Sequence, residues 1–132
     1  MEDPIINDLL QQWEEVYKRG LLSFWLLLLL NEREMYAYEM GEAIKAISSG
    51  TMEADDNSIY RALRRFAEAN LVASQKRNSE IGPPRRYFWL TPLGRELLAR
   101  FVERNILLFQ QPHIVKAIER ARGKNDDREN DN

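Results

Sequence analysis

The chain has 132 residues, of which 44% are hydrophobic and 30% charged, with no cysteine and a formal net charge of −2. That length suits one domain with an added oligomerisation element, and the lack of cysteine excludes a disulfide framework and any thiolate metal site. The near-neutral balance argues against a general DNA-coating protein. The longest apolar run, Leu21 to Leu30 broken only by Ser23, falls well short of the roughly 20 residues that span a bilayer. Acidic residues lead the chain and no small-residue cleavage site follows, so it does not read as a secretory leader. The expected location is the cytoplasm.

In chain order, Ile6, Leu9, Trp13 and Val16 step by three, four and three, the stripe of an amphipathic helix over residues 4–18. Asp3 suits its N-cap, Pro4 its first turn, and Gly20 its end. A helix of that length is marginal alone in water, so its stripe must pack on the domain or on a partner chain. Residues 21–31 read as a second helix, apolar nearly all round and therefore central. A third helix is expected over 36–48, with Met40, Ile44 and Ile47 inward and Ser48-Ser49-Gly50 as its stop. Asp55 or Asp56 can cap a fourth helix over about 57–69, whose inner face is Ile59, Leu63 and Phe66.

Leu71 to Lys76 and Arg86 to Leu90 are candidate strands, joined by a polar loop with turn chemistry at Gly82-Pro83-Pro84. Thr91 and Pro92 then provide the N-cap and first residue of a further helix. That helix carries Leu93, Leu97, Phe101 and Leu108 on one line and Leu98, Val102 and Phe109 on another. Two apolar lines exceed what one core needs, so it is expected to meet another chain. Pro112 breaks or restarts it, and His113 to Arg122 forms a last short helix. Residues 123–132 are polar and charged throughout and are expected to be disordered. The fold class is mainly α with a small β-hairpin (α+β).

Charge is unevenly spread. Residues 1–60 hold 4 basic and 12 acidic side chains; residues 61–86 hold 7 basic and 2 acidic. The positive charge therefore falls on one helix and the hairpin behind it, the order of a winged helix-turn-helix in which a helix enters the DNA major groove and the wing lies on the backbone.

These segments carry a resemblance. Tyr36-Ala37-Tyr38-Glu39-Met40, Ser58-Ile59-Tyr60 with Leu63-Arg64-Arg65, and Asn70-Leu71-Val72 precede Gly82-Pro83-Pro84-Arg85-Arg86-Tyr87-Phe88 and Leu90-Thr91-Pro92-Leu93-Gly94. In this order and spacing, over roughly Gly20 to Leu98, they resemble the PadR family of transcriptional regulators. The family usually has Gly where Ala37 stands, and often Pro where this chain has Arg61. The resemblance implies a winged helix over residues 20–91 and a homodimer held by the N-terminal helix (1–19) and C-terminal helices (92–122). It also implies transcriptional regulation, in many members as repressors. Some members respond to small molecules; no effector is carried over to this chain.

The candidate DNA contacts are Arg61, Arg64 and Arg65, whose guanidinium groups reach phosphates or pair with guanine edges, and Ser58 and Tyr60 near the helix N-terminus. Lys76, Arg77, Arg85 and Arg86 flank a wing over about 76–86 and can neutralise backbone charge. Tyr36 and Tyr38 can donate to phosphate or simply pack, and Arg65 can instead pair with Glu68 or Glu39. The candidate dimer contacts are Leu9, Trp13, Leu97, Phe101, Leu108 and Phe109. Two-fold symmetry would place two recognition helices one DNA turn apart on a pseudo-palindromic operator.

Trp13, Trp25 and Trp89 read as core and interface packing rather than a ligand pocket. Enzyme readings find no support: His113 is the sole histidine, no Gly-rich phosphate loop occurs, and no histidine pair offers metal-ligand spacing. No cofactor or metal is implied. The alternatives to a sequence-specific regulator are a winged-helix module that binds protein and a nonspecific nucleoid-associated DNA-binding protein. A basic recognition helix together with a basic wing favours DNA, since a protein-binding module has no need of both.

Overall fold

The computed structural model describes residues 3–123. Its elements run α1 (Pro4–Glu32), α2 (Ala37–Ile47), α3 (Asp56–Glu68), β1 (Val72–Arg77), β2 (Arg85–Leu90), α4 (Pro92–Phe101) and α5 (Pro112–Ala121). The strands begin one residue from where the alternation suggests. The chain divides into two compact units, Met1–Glu96 and Leu97–Asn132.

In the first unit, α1 is continuous, which corrects the two-helix expectation. Asp3 accepts from the Ile5 N–H at 2.8 Å and Pro4 opens the helix. Gly20 does not take the positive φ that ends helices; it stays helical, at a cost of about 1 kcal/mol relative to Ala. The residues beyond it make that cost tolerable, because Leu26, Leu27, Leu29 and Leu30 are buried. The N-terminal half of the same helix leaves Ile6, Leu9, Trp13 and Val16 exposed.

α2 and α3 complete the core with Met40, Ile44, Ile59, Ala62, Leu63 and Phe66, all buried. The inner face expected for α3 is the one observed. Ile47 of α2 is instead exposed. It stands on the last turn, where the chain folds back, and Ser48 and Met52 are buried there in its stead. Ser48 closes that turn by accepting the Met52 N–H at 3.0 Å.

β1 and β2 pair antiparallel from Val72↔Leu90 to Arg77↔Arg85. Met35 adds an isolated antiparallel bridge to β2: its N–H donates to Phe88 O at 3.1 Å and the Phe88 N–H returns to Met35 O at 2.8 Å. Alternation puts Val72, Phe88 and Leu90 inward, and all three are buried.

Two turns fix the hairpin. At the end of α3, Asn70 adopts φ 63°; its N–H donates to Ala67 O at 3.0 Å and the Leu71 N–H to Phe66 O at 2.8 Å. This is a Schellman motif with Asn in the left-handed position. At the start of α4, the Thr91 hydroxyl oxygen accepts the Gly94 N–H at 3.1 Å. The hydroxyl itself lies 2.7 Å from Asn70 O and 3.1 Å from Leu71 O. The Thr91 N–H donates to Leu71 O at 3.0 Å. Asn70-Leu71 and Thr91-Pro92-Leu93-Gly94, separate in sequence, thus form one joint.

The second unit departs from the single long helix expected after Thr91. α4 stops at Phe101, a π-helical turn covers Val102–Ile106, and a 3₁₀ turn covers Leu107–Gln110. Widening and then tightening the helix breaks the two straight apolar lines. Leu98 is buried and Val102 half-buried, while Leu97, Phe101, Leu108 and Phe109 remain exposed. Pro112 opens α5 as its position suggests. The tail expected at 123–132 lies, apart from Gly123, outside the described residues.

Candidate nucleic-acid interface

α3 is positioned by its cap and its buried stripe. Asp55 accepts the Ser58 N–H at 2.7 Å, and that bond, first among its causes, holds the Asp55 carboxyl below its ordinary value. Burial of Ile59, Ala62, Leu63 and Phe66 turns Tyr60, Arg61, Arg64 and Arg65 outward, and all four are exposed. Among the described residues none of the three arginines forms a salt bridge, although Arg61 lies near enough to Asp55 to help lower its carboxyl. Arg65 does not take Glu39, which accepts from Arg33 at 3.2 Å and from the Tyr36 N–H at 3.2 Å.

The N-terminal end of α3 is less suited to phosphate. Asp55 already occupies the Ser58 N–H, and Ser58 is half-buried, its hydroxyl oxygen accepting from Arg61 at 3.3 Å. A cavity of about 400 Å³ beside this end is lined by Tyr38, Glu42, Lys45, Glu53, Asp55 and Asp56. Tyr38 is exposed beside that cavity, whose lining carries four carboxylates and one lysine, Lys45, paired with Glu53 at 3.8 Å. The cationic surface lies along the middle of the helix. Asn57, not singled out from the sequence, is exposed on the same outward side as Arg61 and Arg64; the signal was its spacing of four and seven from those arginines.

The four hairpin cations divide between two faces. Arg77 and Arg85 face one another in register at the loop end of the ladder. Arg77 forks onto both carboxylate oxygens of Glu34 and lies 4.9 Å from the Tyr87 ring centre. Arg85 lies 4.5 Å over Tyr36, which meets Tyr87 edge-on at 5.5 Å. The Glu34 carboxyl is held below its ordinary value, chiefly by the Arg77 hydrogen bonds, and Arg77 is raised in turn. Tyr36 is thus a packing residue in this arrangement, and Arg77 has a carboxylate partner within the fold.

Lys76 and Arg86 lie opposite each other on the other face, the one that carries Phe88 inward. Arg86 donates to the Ser74 hydroxyl at 3.0 Å. A groove of about 450 Å³ separates this face from α3, with Tyr60, Arg64, Ser74 and Arg86 among its lining. A capped helix with a cationic outer side, a hairpin after it, and a groove between them are the parts of a winged helix.

Residues 26–100 match the model of the transcriptional regulator PadR-like family.

The chain belongs to the PadR-like family of transcriptional regulators.

These are regulators rather than enzymes. A structure of a PadR family transcriptional regulator from Eggerthella lenta superposes with a TM-score of 0.70 at 23% identity, over 89% of this chain and 98% of that one. Bacillus subtilis PadR, solved in complex with operator DNA, gives 0.60 at 19% identity over 64% of this chain and 48% of that one. A PadR-like regulator from Bacillus cereus gives 0.55 at 28% identity over 64% and 80%. An uncharacterized protein of Lysinibacillus sphaericus is 24% identical over 85 residues, 64% of this chain and 78% of its own length. Where identity is under 25%, the likeness is one of fold. In this PadR-like chain the matched span includes most of the buried core and ends inside α4. Among the described residues no helix is long and apolar enough to cross a membrane.

Proposed function

We propose that this PadR-family chain is a homodimeric, sequence-specific DNA-binding regulator of the cytoplasm that acts as a repressor. Residues 20–91 bind DNA, with α3 in the major groove and the hairpin on the adjacent backbone. The single observation that carries the reading is the face of α3 opposite the core. Burial of one stripe leaves Arg61, Arg64 and Arg65 exposed and outside any salt bridge among the described residues, beside a hairpin face bearing Lys76 and Arg86. Exposed cations at that density favour a polyanion, and the spacing of groups along a helix suits base edges in the major groove.

Dimerisation is supported by two exposed apolar surfaces. On α1, Leu9 and Trp13 are 55% and 73% exposed. In the second unit, Leu97, Phe101, Leu108 and Phe109 are exposed. Apolar surface of this extent is stabilised by a partner, and a second copy of the chain supplies one with matching chemistry. Two copies give the two-fold symmetry that a pseudo-palindromic operator mirrors.

The test is selection of bound duplexes from a random pool by the purified protein, followed by sequencing. The expected outcome is a two-fold symmetric consensus with half-sites about one helical turn apart. Enrichment of nothing beyond base composition would overturn sequence specificity.

A further inference from the structure

We propose that the groove between α3 and the hairpin seats a single phosphodiester of the DNA strand lying between the two elements, gripped jointly by Arg64 and Arg86. The proposal rests on the DNA-binding reading above and specifies how that surface holds the backbone.

The groove is built from both sides. Leu63 and Phe88, buried residues of α3 and β2, contribute to its floor, while Arg64 and Tyr60 rise from the helix and Arg86 and Ser74 from the hairpin. No carboxylate lines it. Two guanidinium groups bordering one groove without a counterion repel each other until an anion sits between them. The apolar floor suits the C–H faces of deoxyribose, and the charged rim suits the phosphate attached to it. A chain segment that alternates apolar and anionic groups is the occupant that satisfies both.

The other candidates for this role are excluded by their surroundings. Arg77 is forked onto Glu34, and Arg85 lies over Tyr36 on the opposite hairpin face. The cavity at the other side of α3 is lined by Glu42, Glu53, Asp55 and Asp56, which repel a backbone. Arg86 is held in place by its bond to Ser74 at 3.0 Å. That bond uses one of five guanidinium N–H groups and leaves the rest to donate.

The experiment compares wild type, Arg64→Gln, Arg86→Gln and the double variant on an operator duplex in which each phosphate in turn is replaced by a neutral methylphosphonate. One position should weaken wild-type binding by roughly tenfold, the loss of one charge-assisted contact, and have no effect on the double variant. The slope of log affinity against log salt should fall by about 0.9, one phosphate's worth, in the double variant and by less than that in either single variant. Different sensitive phosphates for the two single variants, or a double-variant loss of about 1.8, would overturn the shared seat while leaving DNA binding intact. Failure of the wild-type protein to bind any duplex would overturn the reading beneath it, and the seat with it.

Discussion

Gly94 lies against the backbone of Leu71 so closely that a Cβ built on it would stand 2.1 Å from the Leu71 carbonyl oxygen. The contact fixes the start of α4 to the turn that leads into β1, and so sets where the hairpin leaves the core. A methyl group there must push backbone rather than a flexible side chain. Gly94→Ala is expected to destabilise the protein by about 1–3 kcal/mol, the usual cost of overpacking. Urea denaturation should show a lower midpoint with an unchanged slope; an unchanged midpoint would contradict the close approach.

Asn70 occupies the left-handed position that ends α3. Asn70→Gly should be close to neutral, since glycine adopts that conformation without strain. Asn70→Val should cost about 1–2 kcal/mol, measured as a lower unfolding midpoint. Equal effects of the two substitutions would show that the backbone angle is not what matters at this position.

The pH dependence of stability should contain a Glu34 component. Its carboxyl has an ordinary value of 4.5 and is lowered in the folded chain, chiefly by Arg77. A lowered folded value means that the contribution is complete above 4.5 and is lost as pH falls through the folded value. Glu34→Gln should therefore flatten the stability profile below pH 4.5 and leave its shape at neutral pH unchanged. Asp55, lowered from 3.8 chiefly by the Ser58 N–H, should lose its own contribution as pH falls below 3.8 through its folded value.

Arg61 and Lys76 should separate base reading from backbone contact. Arg61→Ala is expected to cost about 1–3 kcal/mol in operator affinity and to relax preference at one base pair. Lys76→Gln should weaken binding to all sequences evenly and reduce the salt slope by about 1. Competition binding against single-base-pair operator variants distinguishes the two patterns.

The exposed face of α1 makes a prediction about assembly. Leu9→Arg with Trp13→Arg should shift the protein toward monomer in sedimentation while leaving its helical circular dichroism intact, because neither side chain is buried within one copy. An unchanged sedimentation coefficient would place the dimer contact elsewhere.

Much of the fold was legible where a short-range signal had one physical meaning. The step of Ile59, Leu63 and Phe66 fixed the inner face of α3, and Thr91-Pro92 marked the start of α4. Gly20 misled, because glycine is compatible with both a helix end and a helix interior, and burial of the leucines after it decided the matter. Ile47 had the right period but stood on the last turn, so periodicity alone did not reveal its exposure. The π-helical turn at Val102–Ile106 has no local sequence signature. In the candidate site the exposed arginines of α3 followed from the pattern. The division of the hairpin cations did not: that Arg77 meets Glu34, 43 residues away, is a tertiary pairing that no spacing announces.

The most direct test of the account is a mobility shift of the purified protein on the promoter region of its own gene, with excess nonspecific competitor, over a salt series. The account predicts a discrete, competitor-resistant complex that weakens steeply as salt rises and protects a pseudo-palindrome. A complex that disappears with competitor, or no complex even at low salt, would contradict it.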